Sequence, residues 1–169
     1  MVFDALTVQE VLKRFVMAPT NYELLPSLLP IIGGALVIEL YFGKHESESL
    51  GWNTSVGNAV IWVTTGISLL ITSELGQMER YASYFLVVVG SLVGYMNFYH
   101  KWSESVAFII SSAGIVYSLA YVTVVLVKTD IPVNNTVLKA SLIFIVATNL
   151  GFKILQMFET PANDGFGMR

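Results

Sequence analysis

The sequence predicts an all-α polytopic integral membrane protein, a helical bundle of five transmembrane helices with an N-terminal amphipathic interfacial helix. Composition is the first indication, because 54% of the side chains are apolar and 12% are charged, about half the charged fraction of soluble domains. The second is a row of five mostly apolar windows, each about as long as the 17 to 25 residues that cross a bilayer. Backbone groups in hydrocarbon must be bonded within a segment or a closed barrel, so such windows are expected to be helices. Spans one to five are residues 24–42, 54–72, 81–99, 105–127 and 137–158.

Residues 1–18 are expected to form the amphipathic helix before span one. Apolar residues recur there at helical spacing, and charged residues occupy the opposite face. We expect this helix to lie in the membrane interface; a helix packed under the bundle or against a partner chain would use the same apolar face. Ala18-Pro19 is expected to end it. The apolar face consists of Phe3, Leu6, Val8, Val11, Leu12, Phe15 and Val16.

Composition also limits the classes of function. No Pro/Ser-rich linker or charge block divides the chain, so residues 1–169 are predicted to form a single membrane domain. Nine basic against 12 acidic residues leave no cationic patch for nucleic acid. The absence of cysteine excludes thiol nucleophiles, disulfides and thiolate metal sites. We expect no cofactor, but we do expect bound lipid. The expected partners are the bilayer and either further copies of the chain or other membrane subunits.

An odd number of spans places the two termini on opposite sides of the membrane. Basic residues are enriched at the cytoplasmic ends of spans. The N-terminal side has five bases and the opposite side four, out of nine in the chain, which favours a cytoplasmic N-terminus by one residue. The first set is Lys13, Arg14, Arg80, Lys128 and Lys139, and the second is Lys44, Lys101, Lys153 and Arg169.

The leading functional hypothesis is a non-catalytic structural or assembly subunit of a membrane complex or homo-oligomer. Spans three to five carry small residues at i, i+3 or i+4 spacing, and such faces let membrane helices approach closely, within one chain or between protomers. No catalytic residue is predicted, because no span contains an aspartate and neither histidine lies near a Gly-x-Ser-x-Gly turn. The small faces are Ser83, Gly90, Gly94 and Asn97; Ala107, Ser111, Gly114 and Ser118; and Ala140, Ala147 and Gly151.

The alternative hypothesis is a small channel or transporter. Span two has a polar stripe that would line a water-filled path, although Ser and Thr hydroxyls also bond commonly to their own helix. Glu39 should lie about 6 Å below the end of span one at 1.5 Å per residue, shallow enough to meet water or Lys44. The candidate polar-path residues are Glu39, Asn58, Thr65 and Asn97.

A third hypothesis is a metal-dependent membrane enzyme. The loops after spans one and three emerge on the same side and bring together both histidines and several glutamates, a chemically sensible set for zinc, iron or manganese. HESES begins like the HExxH zinc motif, but Ser49 stands where the second histidine would be. The alternative is the solvated rim of an aromatic belt. The candidate metal ligands are His45, Glu46, Glu48, His100 and Glu104.

Overall fold

The computed structural model describes residues 6–44 and 51–158, which form helices and connecting turns without any strand. The all-helical prediction is therefore confirmed for this part of the chain. The helices are α1 (Val8–Met17), α2 (Leu25–Lys44), α3 (Trp52–Thr72), α4 (Gln77–Phe98), α5 (Glu104–Ile110), α6 (Ala113–Lys128) and α7 (Asn135–Met157), with a 3₁₀ turn at Ala18–Thr20 between α1 and α2.

Four helical segments among the described residues are long and apolar enough to cross a membrane, which indicates a membrane protein. The first half of α2, Leu25–Leu36, is a shorter apolar helix. The four segments are Thr54–Thr72, Gln77–Phe98, Glu104–Lys128 and Asn135–Met157.

Helix α1 begins at a capping box. The Thr7 side chain accepts a bond from the Glu10 amide, and the Glu10 carboxylate accepts one from the Thr7 amide, so free amides of the first turn are satisfied. The helix ends at Met17, just before the predicted stop at Ala18-Pro19. Val11 and Phe15 are fully buried against the bundle, and α7 is the main helix on which α1 packs.

Helices α3 and α4 form the closest antiparallel pair, and glycines allow this approach. A Cβ on Gly66 would lie 2.7 Å from the Ser83 carbonyl oxygen, and one on Gly90 would lie 3.0 Å from that of Ala59. Small residues thus let backbones come near enough for dense packing, the main attraction between helices in lipid. The small face predicted for span three is therefore occupied within the chain.

Helix α6 occupies the centre of the bundle. Every residue from Val116 to Val127 is buried except Leu119, which is half-buried. It contacts α2, α3, α4 and α7. The sequence predicts one continuous helix over 105–127, whereas the structure interrupts this span between α5 and α6 at Ser111 and Ser112.

Candidate functional site

The candidate site is built around this interruption. Ser111 ends α5, and Ser112 is extended, with φ −60° and ψ 144°, before α6 begins. Serine favours such positions, because its hydroxyl competes with the helical backbone bonds. Ser111 is completely buried. An interruption at membrane depth is tolerated only where protein or a cavity surrounds the freed backbone groups. The residues around this break must therefore hydrogen-bond the backbone groups that it frees.

Helices α3 and α4 supply hydrogen-bond donors to Ser111 at the carboxyl-terminal end of α5. Asn58 on α3 donates its Nδ2 hydrogen to the Ser111 carbonyl at 2.7 Å. Asn97 on α4 donates to the Ser111 hydroxyl at 2.7 Å and accepts from the Trp102 indole at 2.7 Å. Both asparagines are buried. The end of α5 is therefore tied to two neighbouring helices through amide side chains.

Helix α2 supplies a carboxylate, that of Glu39, to the amino-terminal end of α6. The N-cap residue Ser112 makes no side-chain capping bond to α6. Instead, the carboxylate of Glu39 lies beside the first turn of α6, where a Cβ on Gly114 would be 3.3 Å from its Oε1 atom. A negative charge is favourable at a helix N-terminus, where amides are free and the helix dipole is positive. Glu39 thus brings a carboxylate from another helix to the first turn of α6.

Helix α7 links this carboxylate to a cation. Gln156 donates from Nε2 to Glu39 Oε2 at 2.7 Å, and its Oε1 accepts from Lys153 Nζ at 3.2 Å. Asn149 lies one turn earlier and donates to the Ile145 carbonyl at 2.8 Å. Charged groups in membrane helices usually pair with one another or with backbone groups, and here one glutamine amide bridges the two charges.

Three of the four predicted polar-path residues surround the break, namely Glu39, Asn58 and Asn97. Thr65 lies elsewhere, two turns along α3 from Asn58. It lines a groove of about 470 Å³ between α2, α3 and α6, together with Pro26, Ser27, Thr64, Ser68, Thr72 and Lys128.

The polar stripe of span two divides into two kinds of side chain. Thr64 and Thr72 donate to carbonyls of their own helix, Val60 and Ser68, at 2.9 and 2.7 Å. Asn58, in contrast, bonds across to another helix. Both arrangements match the interpretation of this stripe as self-bonded hydroxyls with one bridging amide.

Three of the predicted metal ligands, His45, Glu46 and Glu48, lie outside the described residues, so the metal hypothesis stays a prediction. Within the described ranges, no three His, Cys, Asp or Glu side chains come together as a metal site. His100 stacks on Trp52, with ring centroids 4.0 Å apart and an interplanar angle of 21°. Glu104 is the first residue of α5. Elemental analysis of the purified protein would test the hypothesis, because a metalloenzyme requires stoichiometric metal.

Sequence reasoning missed the polar face of α7. Asn149, Lys153 and Gln156 follow one another at i, i+4 and i+7, which places them on one side of a helix. That spacing was a signal for a polar contact. Ser111-Ser112 was a second signal, since two adjacent serines favour a helix boundary.

Comparison with known proteins yields no relative: no family model matches the chain, and neither a curated protein nor a solved structure matches it. A function for this chain is therefore inferred from the chemistry around the interrupted helix.

Proposed function

We propose that the chain is a five-span integral membrane protein with α1 in the interface. Helix α2 has 20 residues, about 30 Å at 1.5 Å per residue, enough for a fifth crossing. Val16 and Met17 of α1 are 65% and 50% exposed, so α1 offers an apolar surface outward as well as inward. Lys13 and Arg14 are exposed beside them, as in interfacial helices. The termini would then lie on opposite sides, with the N-terminus cytoplasmic.

We infer that this membrane protein is a small channel or transporter that moves a proton or a small cation. The observation that carries the proposal is the carboxylate of Glu39 at the N-terminal end of α6, beside the break at Ser111 and Ser112. Discontinuous helices with free backbone groups form the ion sites of many membrane transporters. An ionisable side chain within a membrane-spanning segment is a functional candidate by default.

Protonation would change the contacts of Glu39 directly. The neutral acid no longer offers a negative charge to the α6 amides, and its attraction to Lys153 through Gln156 disappears. A bound cation would neutralise the carboxylate in the same way. The electrostatic environment at the start of α6 therefore changes with the charge of the Glu39 side chain. A proton- or cation-linked step requires such a dependence.

Trp62 lies between this site and the groove lined by Thr65, and in this proposal it would separate the two. It lies on the same face of α3 as Asn58 and Thr65, between them, and is 2% exposed. Its indole donates to the Val116 carbonyl at 2.8 Å. The structure is therefore a closed form in this proposal, and transport requires the Trp62 ring to move.

Flux into liposomes tests the proposal. Purified protein is reconstituted, and proton and monovalent cation fluxes are measured under imposed pH and ion gradients. Wild-type vesicles are expected to exceed empty vesicles, Glu39→Gln to lose that flux, and Glu74→Gln, at an exposed acid after α3, to retain it. Wild-type flux equal to that of empty vesicles across all gradients would refute the proposal.

Assembly is the second candidate function, and one observation on α7 favours it. Among residues 6–44 and 51–158, nothing packs closely on the small pair Ala147 and Gly151, because Ala147 is exposed there and a Cβ on Gly151 would meet no described atom within 4 Å. Close approach of another membrane helix is possible there. Light scattering of detergent-solubilised protein would test it: Gly151→Leu should lower the oligomeric state, and a wild-type monomer would remove the homo-oligomer form of this candidate.

A further inference from the structure

An apolar cavity of about 310 Å³ lies between α1, α2, α6 and α7. We propose that this cavity holds one acyl chain of a bilayer phospholipid, with the lipid phosphate beside Lys13. This cavity is separate from the site at the break, which it adjoins at one end, and lipid binding does not depend on the transport proposal. Prominent wall residues are Phe15, Ile32, Leu36, Tyr117, Phe144 and Phe152.

The chemistry of the wall suits a hydrocarbon chain. The hydroxyl of Tyr121 donates to the Phe15 carbonyl at 2.6 Å, and that of Ser118 donates to the Gly114 carbonyl. Two of the four hydroxyls of the wall are thus already bonded to protein, and those of Tyr117 and Thr148 are the other two. A buried water needs two to four polar partners, and an apolar cavity of this kind stays dry unless an apolar molecule enters.

The position of the cavity identifies the source of the chain. Its wall follows α2 from Ile31 to Leu36 and α7 from Phe144 to Phe152, the middle parts of these two helices. Val16 and Leu36, which are 65% and 40% exposed, border it on the outside. In the proposed orientation this border faces hydrocarbon, where lipid chains are the surrounding medium. An empty cavity would forfeit the dispersion contacts of its wall, which an entering chain restores.

The charge of α1 suits the other end of a phospholipid. Lys13 precedes Val16 by three residues, so the two side chains are neighbours on the surface of α1. Val16 borders the cavity, and both Lys13 and Arg14 are exposed. Bases beside the membrane surface attract lipid phosphates. A chain entering past Val16 would bring its phosphate to Lys13.

The inner end of the cavity adjoins the site at the break. Ala35, Ser118 and Phe152 line the cavity, and each is four residues from a member of the Glu39, Gly114 and Gln156 contact. The end of the bound chain would therefore stand one helical turn, about 5.4 Å, from that contact. It would shield this side of the polar site from competing lipid headgroups.

Photolabelling of the unmodified protein tests the placement without any substitution. Wild-type protein in nanodiscs receives a phospholipid with an aliphatic diazirine near the end of one chain, and mass spectrometry maps the labelled peptides after irradiation. Labels are expected in α2 and α7 at wall residues such as Leu36 and Phe152. Labels spread equally over the exposed face of α4, for instance at Val88 and Leu92, would overturn the proposal.

Adjacent substitutions on α7 form a matched pair for a second test. Thr148 lines the cavity, whereas Ala147 points away and is exposed. After delipidation, native mass spectrometry should find one retained phospholipid on the wild type and on Ala147→Phe, and its loss from Thr148→Phe. Equal retention by all three would overturn the proposal. If Thr148→Phe does not fold, the photolabelling result decides. Unchanged retention in Lys13→Gln would overturn the placement of the phosphate.

Discussion

Asn58 on α3 donates a hydrogen bond of 2.7 Å to the backbone carbonyl of Ser111, 53 residues further along the chain. In a continuous helix that carbonyl would accept from the amide of Ile115, four residues on. A backbone carbonyl left without a hydrogen-bond donor in hydrocarbon costs several kcal/mol of stability. The side chain of Asn58 therefore replaces a lost helical hydrogen bond and stabilises the break between α5 and α6.

Asn58→Leu is expected to destabilise the protein, because it leaves the Ser111 carbonyl without its side-chain donor. We expect the free energy of unfolding to fall by about 1 to 3 kcal/mol, the cost of leaving a buried acceptor unsatisfied. Thermal unfolding in detergent measures it. Thr64→Val is the control, because the Thr64 hydroxyl bonds only within its own helix, to Val60 and Ile61. Equal stability of Asn58→Leu and Thr64→Val would contradict this role of Asn58.

Gly66→Ala is expected to force α3 and α4 apart. The new Cβ would lie 2.7 Å from the Ser83 carbonyl oxygen, a backbone atom that a rotamer change cannot move. Overpacking of this kind costs about 1 to 3 kcal/mol. Gly57→Ala is the matched control on the same helix, since its Cβ would meet nothing within 4 Å and alanine favours helix by about 0.5 to 1 kcal/mol. Unfolding midpoints should therefore move in opposite directions for the two variants.

Tyr121→Phe is expected to loosen the attachment of α1. The Tyr121 hydroxyl donates to the Phe15 carbonyl at 2.6 Å, across 106 residues of sequence, and removing it should cost about 1 kcal/mol of docking free energy. Faster tryptic cleavage after Lys13 and Arg14 would report the change. Tyr84→Phe, on the exposed face of α4, should cleave at the wild-type rate. Wild-type protection of α1 in Tyr121→Phe would show that packing alone holds this helix.

The first turn of α1 is expected to fray at low pH. Bonds from the backbone amide and hydroxyl of Thr7 lower the pKa of Glu10 below its usual value. Because the folded pKa is the lower one, the stabilisation is complete above the unfolded value near 4.5 and is lost as pH falls through the folded value. Amide hydrogen exchange at Glu10 and Val11, corrected for intrinsic rates, should speed up on acidification. In Glu10→Gln the corrected rates should not change with pH over this range.

Several features of the fold could be predicted because they depend on local chain properties. The length of the apolar windows predicted the helices that became α3, α4 and α7. Periodicity predicted a helix over residues 1–18, within which the structure has α1 over Val8–Met17; its position in the membrane interface stays a prediction. The break at Ser111 and Ser112 was not predicted, because mean hydropathy does not distinguish a continuous span from an interrupted one. Its stability depends on Asn58, a residue that is remote in sequence.

The candidate site shows the same division. The sequence by itself identified Glu39 as a charge inside an apolar window and named water or Lys44 as its partners. Only the tertiary structure joined it to Gln156, 117 residues away, and placed it at the start of α6. Whether a segment suits the membrane interior depends on its own length and composition. The sequence alone therefore determined which segments are helical and apolar. The Ser111 carbonyl and the Glu39 carboxylate take their side-chain donors from other helices, and only the packing of the bundle decided which ones.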